Sequence, residues 1–421
     1  MKGTTEKENM DAMVEWGLER GTVMEGIGPA MVEQGHRGIV AQEKLGAGQV
    51  ILRVPKTILM SVETARTDPD IRNIEEQANL HSRQVLALHL LKECTKGKDS
   101  PWFLYLQQLP RRYTLLAHFL PEECLELQDD EAVNLCQKCR DAERVNWKQV
   151  HPYLDRLISN VKLRSFQAWL WATATLDSRT MFIEDDSAGV LTPIGDLFNY
   201  APPPPPYLRT PEEFLGFNID TNGNHSKPSQ ENKAGYGTYD AQSKQYHIIT
   251  CSEYNKGDQI FLCYGKYTNL ELLQFYGFMM EENEHDQHSL SSWDLRDCCE
   301  CMDLPSTNLA VLINGCPSWN LAVLLRAQGL KNIQISGSAL QTLLSGASVS
   351  KESDALAFKL YVHICRRKLQ SYPTTIADDH ELLSVASSEK KALAVSWRMH
   401  QKRMLMEGVN YGSRCLNLLL D

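Results

Sequence analysis

Two short segments carry side chains spaced for chemistry. Residues 193–200 read PIGDLFNY, with Asp196 and Asn199 three apart. Within one helical turn that spacing puts both on the same face. A carboxylate beside a primary amide can hold a ligand's amine and carboxylate. The same residue types also serve turns and caps, so spacing alone leaves both readings open. Residues 259–278 read QIFLCYGKYTNLELLQFYGF. An apolar strand is predicted to end at Tyr264, and Gly265 permits a sharp turn. Thr268 and Glu271 fit the T-x-x-E capping box of a short helix, which Gly277 is placed to stop. Tyr264, Tyr267 and Tyr276 therefore sit on rigid supports, where a phenol can face a ligand or simply be half-buried.

Metal chemistry has weaker support. There are twelve cysteines, with a C-x-x-C at Cys136 and Cys139 and a group at Cys298, Cys299 and Cys301. A structural zinc needs four converging ligands. These clusters lie far apart and neither has a nearby His pair, so no metal is expected. The thiols read as small buried apolar groups of a reducing compartment. Gly46-Ala47-Gly48 lacks the third glycine of a dinucleotide fingerprint and leads into a strand, which makes it a turn between strands.

The elements that must position these residues follow from periodicity. Residues 5–20 predict an amphipathic helix with Met10, Met13, Val14 and Leu18 on one side. Two β-like runs follow, Ile39 to Glu43 and Val50 to Val54, the second stopped by Pro55. From 61 to 160 the period is helical, including Val85 to Cys94 and the Trp102–Leu106 cluster before Leu109-Pro110. Leu163 to Met181 predicts a further helix carrying Phe166, Trp169, Leu170 and Thr173. Residues 201–233, opening on the run Pro202 to Pro206, predict a surface loop that starts extended. Strands resume at 235–240, 245–250 and 259–264. After about 290 the chain is helical again. Ser353 or Asp354 is placed to cap a helix carrying Leu356, Leu360 and Ile364 and ending near Pro373. Leu393, Trp397 and Leu405 belong to another. Without β-α alternation, a doubly wound sheet is not expected.

The chain has 421 residues, too many for one core, with 43% hydrophobic and 23% charged residues. No run reaches the roughly 20 apolar residues of a membrane span. The net charge of −10 gives no duplex-binding face. Arg366-Arg367-Lys368 reads as a solvated helix face. An acidic surface suits a basic partner. The opening residues, MKGTTEKENMDAM, lack a signal-peptide core and carry acidic residues that a transit peptide avoids, so cytosol or nucleus is expected.

Taken together, the segments resemble the SET domain. The resemblance is to the branch that contains Rubisco large-subunit methyltransferase, and within it to plant SET-domain-group proteins. Four blocks match in order: Arg37-Gly38 with Val54-Pro55 and Leu59-Met60; Trp102, Tyr105 and Leu109-Pro110; Ser178-Arg179 with Pro193 to Asn199; and Tyr264-Gly265 with Asn269 and Tyr276-Gly277-Phe278. The resemblance implies an α+β SET fold of small β-sheets with a pseudoknot and a helical insert, followed by an all-α C-terminal substrate-binding domain. It divides the chain into an N-terminal helix (1–25), SET segments at 26–60 and 161–289, the insert at 61–160, and the substrate-binding domain at 290–421.

It further implies transfer of a methyl group from S-adenosyl-L-methionine to a protein lysine. Arg37 and Gly38 would lie along the cofactor, and Arg179, Asp196 and Asn199 would hold its amino-acid and ribose ends. Tyr200, in the place of the family's histidine, would also contact the cofactor, Phe278 would pack near the adenine, Tyr264 would be the catalytic tyrosine, and Tyr276 would meet the substrate. Asn199 and Tyr264 are thus expected to meet across one pocket. The expected partner is a protein substrate, with no direct nucleic acid, membrane or metal, and the chain is expected to act as a monomer. Two departures stand out. Tyr200 replaces the histidine usual after the asparagine, and Ala201 with the proline run occupies the place of the cysteine that a zinc-binding tail would need. Histidine methylation, or an inactive SET scaffold that binds a partner, are the alternatives.

Overall fold

The computed structural model describes residues 6–32, 37–184, 186–216, 234–296, 307–329, 337–345 and 347–420. The group at Cys298, Cys299 and Cys301 lies outside them, as does the later part of the loop expected at 201–233. Among the described residues no helix is long and apolar enough to cross a membrane.

Short strands form two four-stranded sheets. In the first, β1 (Val23–Met24), β4 (Val50–Pro55), β9 (Gln245–Ile249) and β8 (Tyr236–Asp240) run in the order β1-β4-β9-β8. In the second, β2 (Ile27–Met31), β3 (Arg37–Ala41), β10 (Gln259–Leu262) and β7 (Asn199–Tyr200) run in the order β2-β3-β10-β7. All neighbours are antiparallel except β10 and β7, whose parallel register sets Phe261 opposite Asn199 and Leu262 opposite Tyr200. Two ribbons complete the strands: β5 (Thr180–Ile183) with β6 (Asp186–Leu191), and β11 (Gln287–Ser289) with β12 (Ala310–Leu312). Gly46-Ala47-Gly48 joins β3 to β4, which belong to different sheets, so the turn carries the chain between sheets and closes no hairpin.

The opening helix, Glu6–Glu19, buries Met10, Met13 and Trp16, while Leu18 is exposed. The apolar stripe thus turns toward Trp16. Gly17 has its Cα against the Ile194 side chain, which any Cβ there would strike. The helical stretch after β4 holds Ser82–Lys96, Asp130–Val150 and Phe166–Arg179. The last is shorter than the sequence suggested, because Thr180 and Met181 leave it for β5. Arg83 ties these three helices together, bonding Glu143 at 2.8 Å and Asp177 at 2.7 Å.

Beyond β12, Lys351–Ser371 packs on the 32-residue helix Glu389–Leu420. The cap of the first is Ser350, whose hydroxyl accepts from the Ser353 amide. Asp354 instead lies buried against Arg326 at 2.7 Å. Lys368, expected to be solvated, bonds Asp129 at 2.9 Å and so fastens this helix to the insert.

The cores are distinct but joined. The largest packs the sheets against the insert through residues such as Ile39, Leu52, Leu86, Trp169 and Phe198. A second holds the C-terminal helices through Leu324, Tyr361 and Leu405. A third lies where the two meet, with Leu116, Phe119, Cys124 and Cys136 of the insert against Leu273, Ala394 and Trp397. Cys124 and Cys136 are disulfide-bonded there, so these two are not the free thiols expected from the sequence, and Cys139 takes no part.

Ions also cross this junction. Asp379 accepts from Arg398 Nε at 2.9 Å and from Lys402 Nζ at 2.6 Å, and all three side chains are buried. Arg398 Nη1 donates onward to the Glu126 carbonyl at 2.6 Å. Asp379→Ala is expected to leave two buried cations short of an anion, at a cost of about 3–5 kcal/mol. The readout is the thermal midpoint of the C-terminal helices, which should fall by several degrees; an unchanged midpoint would show the cluster to be dispensable.

Candidate active site

The site forms where the helix Phe166–Arg179, the turn before β7 and the end of β10 converge. Ser165 caps that helix through the Ala168 amide, and its buried face of Trp169, Leu170, Ala172, Thr173 and Leu176 fixes its axis. Arg179 is its last residue, where a cation suits the helix C-terminus. Asp196 lies on the short 3-10 turn Gly195–Leu197. Asn199 lies beyond it on β7, so the two residues do not share a helical turn: Phe198 is extended and breaks it. The turn is entered through Ile194, at φ 68°. For a β-branched residue this conformation costs on the order of 1–3 kcal/mol, and burial of Ile194 against the first helix holds it.

Arg179 Nη1 donates to Asp196 Oδ2 at 3.0 Å and to its carbonyl at 3.1 Å. Tyr105, fully buried, donates to the same carboxylate oxygen at 3.0 Å. Burial by itself would lower the Arg179 pKa, but Asp196 first, then Tyr113 and Tyr105, hold it well above the ordinary value. Burial, reinforced by Asp196, pushes the Tyr105 phenol far up. Arg179 Nε, also buried, has no partner among the described residues.

On the second sheet, Asn199 Nδ2 donates to the Arg37 carbonyl at 3.0 Å. A Cβ on Gly38 would come within 3.0 Å of that amide nitrogen and 2.9 Å of Gln259 Nε2, so a side chain there would crowd both amides. The Arg37 side chain turns away from this contact, donating to the Gln108 carbonyl at 2.7 Å and lying 3.4 Å from Glu6. Burial and the nearby Arg179 lower its pKa.

Tyr264 follows β10. Its hydroxyl donates to the Phe198 carbonyl, and burial raises its pKa, with Arg179 partly opposing. Thr268 and Glu271 form the expected capping box, and the helix Asn269–Phe275 ends as Gly277 takes φ 76°. Tyr276 lies with its ring centre 5.4 Å from that of Tyr264. Tyr200 stands 5.3 Å from Tyr264 and 6.2 Å from Phe278.

A cavity of about 370 Å³ opens beside this cluster. Arg179, Asp196, Tyr264 and Tyr276 line it, together with Met181 and Phe182 of β5, Tyr236, Tyr246 and Tyr267. Arg37, Gly38, Asn199, Tyr200 and Phe278 do not line it. They flank it through the Asn199–Arg37 bond and the ring contacts of Tyr200 and Phe278. Asn199 and Tyr264 therefore meet through adjoining backbone, at Phe198, rather than across the cavity. The sequence reading missed Tyr105, Met181, Phe182, Tyr236 and Tyr246. A signal existed for Tyr105, since a phenol inside an apolar cluster needs a partner for its hydroxyl.

The Rubisco LSMT substrate-binding family matches residues 301–405. The chain is 34% identical over 373 residues to Protein SET DOMAIN GROUP 40 of Arabidopsis thaliana, covering 83% of this chain and 72% of that protein. It is 23% identical over 434 residues to the actin-histidine N-methyltransferase of Mus musculus, covering 94% of this chain and 67% of that one. Its fold is similar to the SET domain of LSMT crystallised with lysine and AdoHcy, at TM-score 0.64 and 20% identity over 98% of this chain and 92% of that chain. It is also similar to Rubisco LSMT bound to AdoMet, at TM-score 0.60 and 21% identity over 98% and 93% of the two chains. The chain thus belongs to the SET-domain protein methyltransferase family.

The contact across the second sheet can be tested directly. Gly38→Ala should push the Asn199 amide off the Arg37 carbonyl, and Asn199→Ala should remove the same bond. In a double-mutant cycle the two are expected to couple by about 1 kcal/mol. Additive losses in chemical denaturation would show the contact to be incidental.

Proposed function

We propose that the chain transfers a methyl group from S-adenosyl-L-methionine to the side-chain nitrogen of a lysine in a protein substrate. The observation that carries this reading is the cavity. It is lined by five tyrosines, Tyr264 among them, together with the Arg179–Asp196 pair.

The residues fit the methyl donor. The unpartnered Arg179 Nε offers a donor to a carboxylate, and Asn199 keeps its carbonyl oxygen after giving its amide to Arg37. Arg37, Gly38, Arg179, Asp196, Asn199 and Phe278 would hold it, and when bound it supplies an electrophilic methyl on a sulfonium.

The protein's part is position and electrostatics. Tyr264 has committed its proton to the Phe198 carbonyl, so its oxygen remains an acceptor that can orient an incoming amine. With its pKa raised, the phenol stays neutral and is no base. Burial likewise raises the Tyr276 pKa, and the nearby Tyr267 adds to the shift. Such a desolvated aromatic wall favours the neutral form of a lysine, and holding it in line accounts for much of the rate. Tyr276, across from Tyr264, confines the alkyl chain.

A second reading, histidine methylation, is supported by similarity across most of the chain to the mouse actin-histidine enzyme. The pH profile separates the two. Because Tyr264 stays protonated well above neutrality, the target nitrogen should set the profile. A lysine with a pKa of about 10.4 should give a kcat/KM that rises about tenfold per unit from pH 7 to 9. A histidine target, with a pKa near 6.5, would instead level off above about pH 7.

Tyr264→Phe is expected to lose most activity, on the order of 100-fold, while calorimetry shows S-adenosyl-L-methionine still binding. Near-wild-type turnover by this variant would overturn the role given to Tyr264. A wild-type chain that fails to bind the donor would favour an inactive scaffold.

A further inference from the structure

Between the end of β10 at Leu262 and the helix that starts at Asn269, the chain has no regular structure, yet it carries the Tyr264 phenol. Gly265 lies at φ 142°, a conformation open to glycine and rarely to other residues. A Cβ there would sit 3.1–3.2 Å from the Tyr267 ring. The turn therefore depends on what holds its carbonyls. That of Tyr267 accepts from Asn283 Nδ2 at 3.0 Å, and that of Tyr264 receives only a long contact from the Tyr267 hydroxyl, at 3.4 Å. The Gly265 carbonyl accepts from the Tyr200 hydroxyl at 2.9 Å, with the Cys263 thiol more distant at 3.9 Å.

Tyr200 is well placed for this contact. Its strand is fixed in register beside β10, with Leu262 opposite it, and the Ala201 amide donates to the Leu262 carbonyl at 3.0 Å. Its ring lies among those of Tyr264, Tyr267 and Phe278, at centre distances of 5.3, 6.3 and 6.2 Å. An imidazole in its place is shorter than a phenol and holds its donor closer to its own strand.

We propose that Tyr200 is a positioning residue: its hydroxyl latches the Gly265 carbonyl and so sets where the Tyr264 phenol stands. The catalytic consequence rests on the methyltransferase reading, but the latch itself does not. A phenol is protonated at neutral pH, so the hydroxyl is a donor there, and burial raises the Tyr200 pKa further.

The test uses the full chain with Tyr200→Phe, which removes one oxygen and keeps the ring, and with Tyr200→His. Hydrogen exchange of residues 263–268 should accelerate about tenfold in both, with protection elsewhere unchanged. In methyl transfer, Tyr200→Phe should lower kcat about tenfold and leave the calorimetric Kd for S-adenosyl-L-methionine within about threefold, because the ring and its contacts with Tyr264 and Phe278 remain. Unchanged exchange in this segment overturns the latch. A loss carried entirely by Kd, with kcat intact, also overturns it and makes Tyr200 a cofactor contact. If even the wild type transfers no methyl group, the functional reading falls and the exchange result still decides on the latch.

Discussion

Taking the Asp196 carboxylate out of water beside Arg179 costs the hydration of two charges, and the attraction between them offsets that cost only when further hydrogen bonds complete the set. Here the Tyr105 hydroxyl completes it. The pair therefore does more than neutralise charge. It fixes the end of one helix against the turn that leads into β7, and through that turn it sets Phe198, whose carbonyl receives the Tyr264 hydroxyl. Helix, turn and strand end are held in one arrangement, and the cavity is what remains between them.

Strain marks the same place. Ile194 sits in a backbone conformation that a β-branched residue avoids. A strained residue persists only where its surroundings over-determine it, and here the opening helix lies against it at Gly17. This explains why a helix remote in sequence from the site belongs to its support, and why a glycine stands on its packing face. The insert contributes in the same way, since Tyr105 comes from it while Asp196 lies on the turn before β7.

Much of the site was legible in the sequence, for identifiable reasons. The capping box at Thr268 and Glu271 and the stop at Gly277 are local chemistry, so they appear in the structure where they were read. The strands read at 235–240, 245–250 and 259–264 appear as Tyr236–Asp240, Gln245–Ile249 and Gln259–Leu262, the last stopping two residues before Tyr264. What failed was whatever depended on distant partners. Asp196 and Asn199 looked like one helical face because their spacing permits it, but a turn and then a strand separate them. Lys368 looked solvated because its two carboxylate partners, Asp129 and Asp294, lie far away in sequence. Met181 passed as the end of a helix and Phe182 was not singled out; both belong to β5, which pairs with β6, and both line the cavity. The short helix Pro211–Leu215 could have been found, since Thr210 and Glu213 form a capping box like that of Thr268.

That short helix ends a strap which leaves the site directly after Tyr200. The strap is stiffened by its prolines and touches His285 through the Pro203 carbonyl, at 2.9 Å. It then reaches the C-terminal helices, where Tyr411 donates to the Thr210 carbonyl at 3.0 Å and Phe214 lies between Phe358 and the Arg326 guanidinium. Chain and side-chain contacts thus tie the strand that carries Asn199 and Tyr200 to the C-terminal helices.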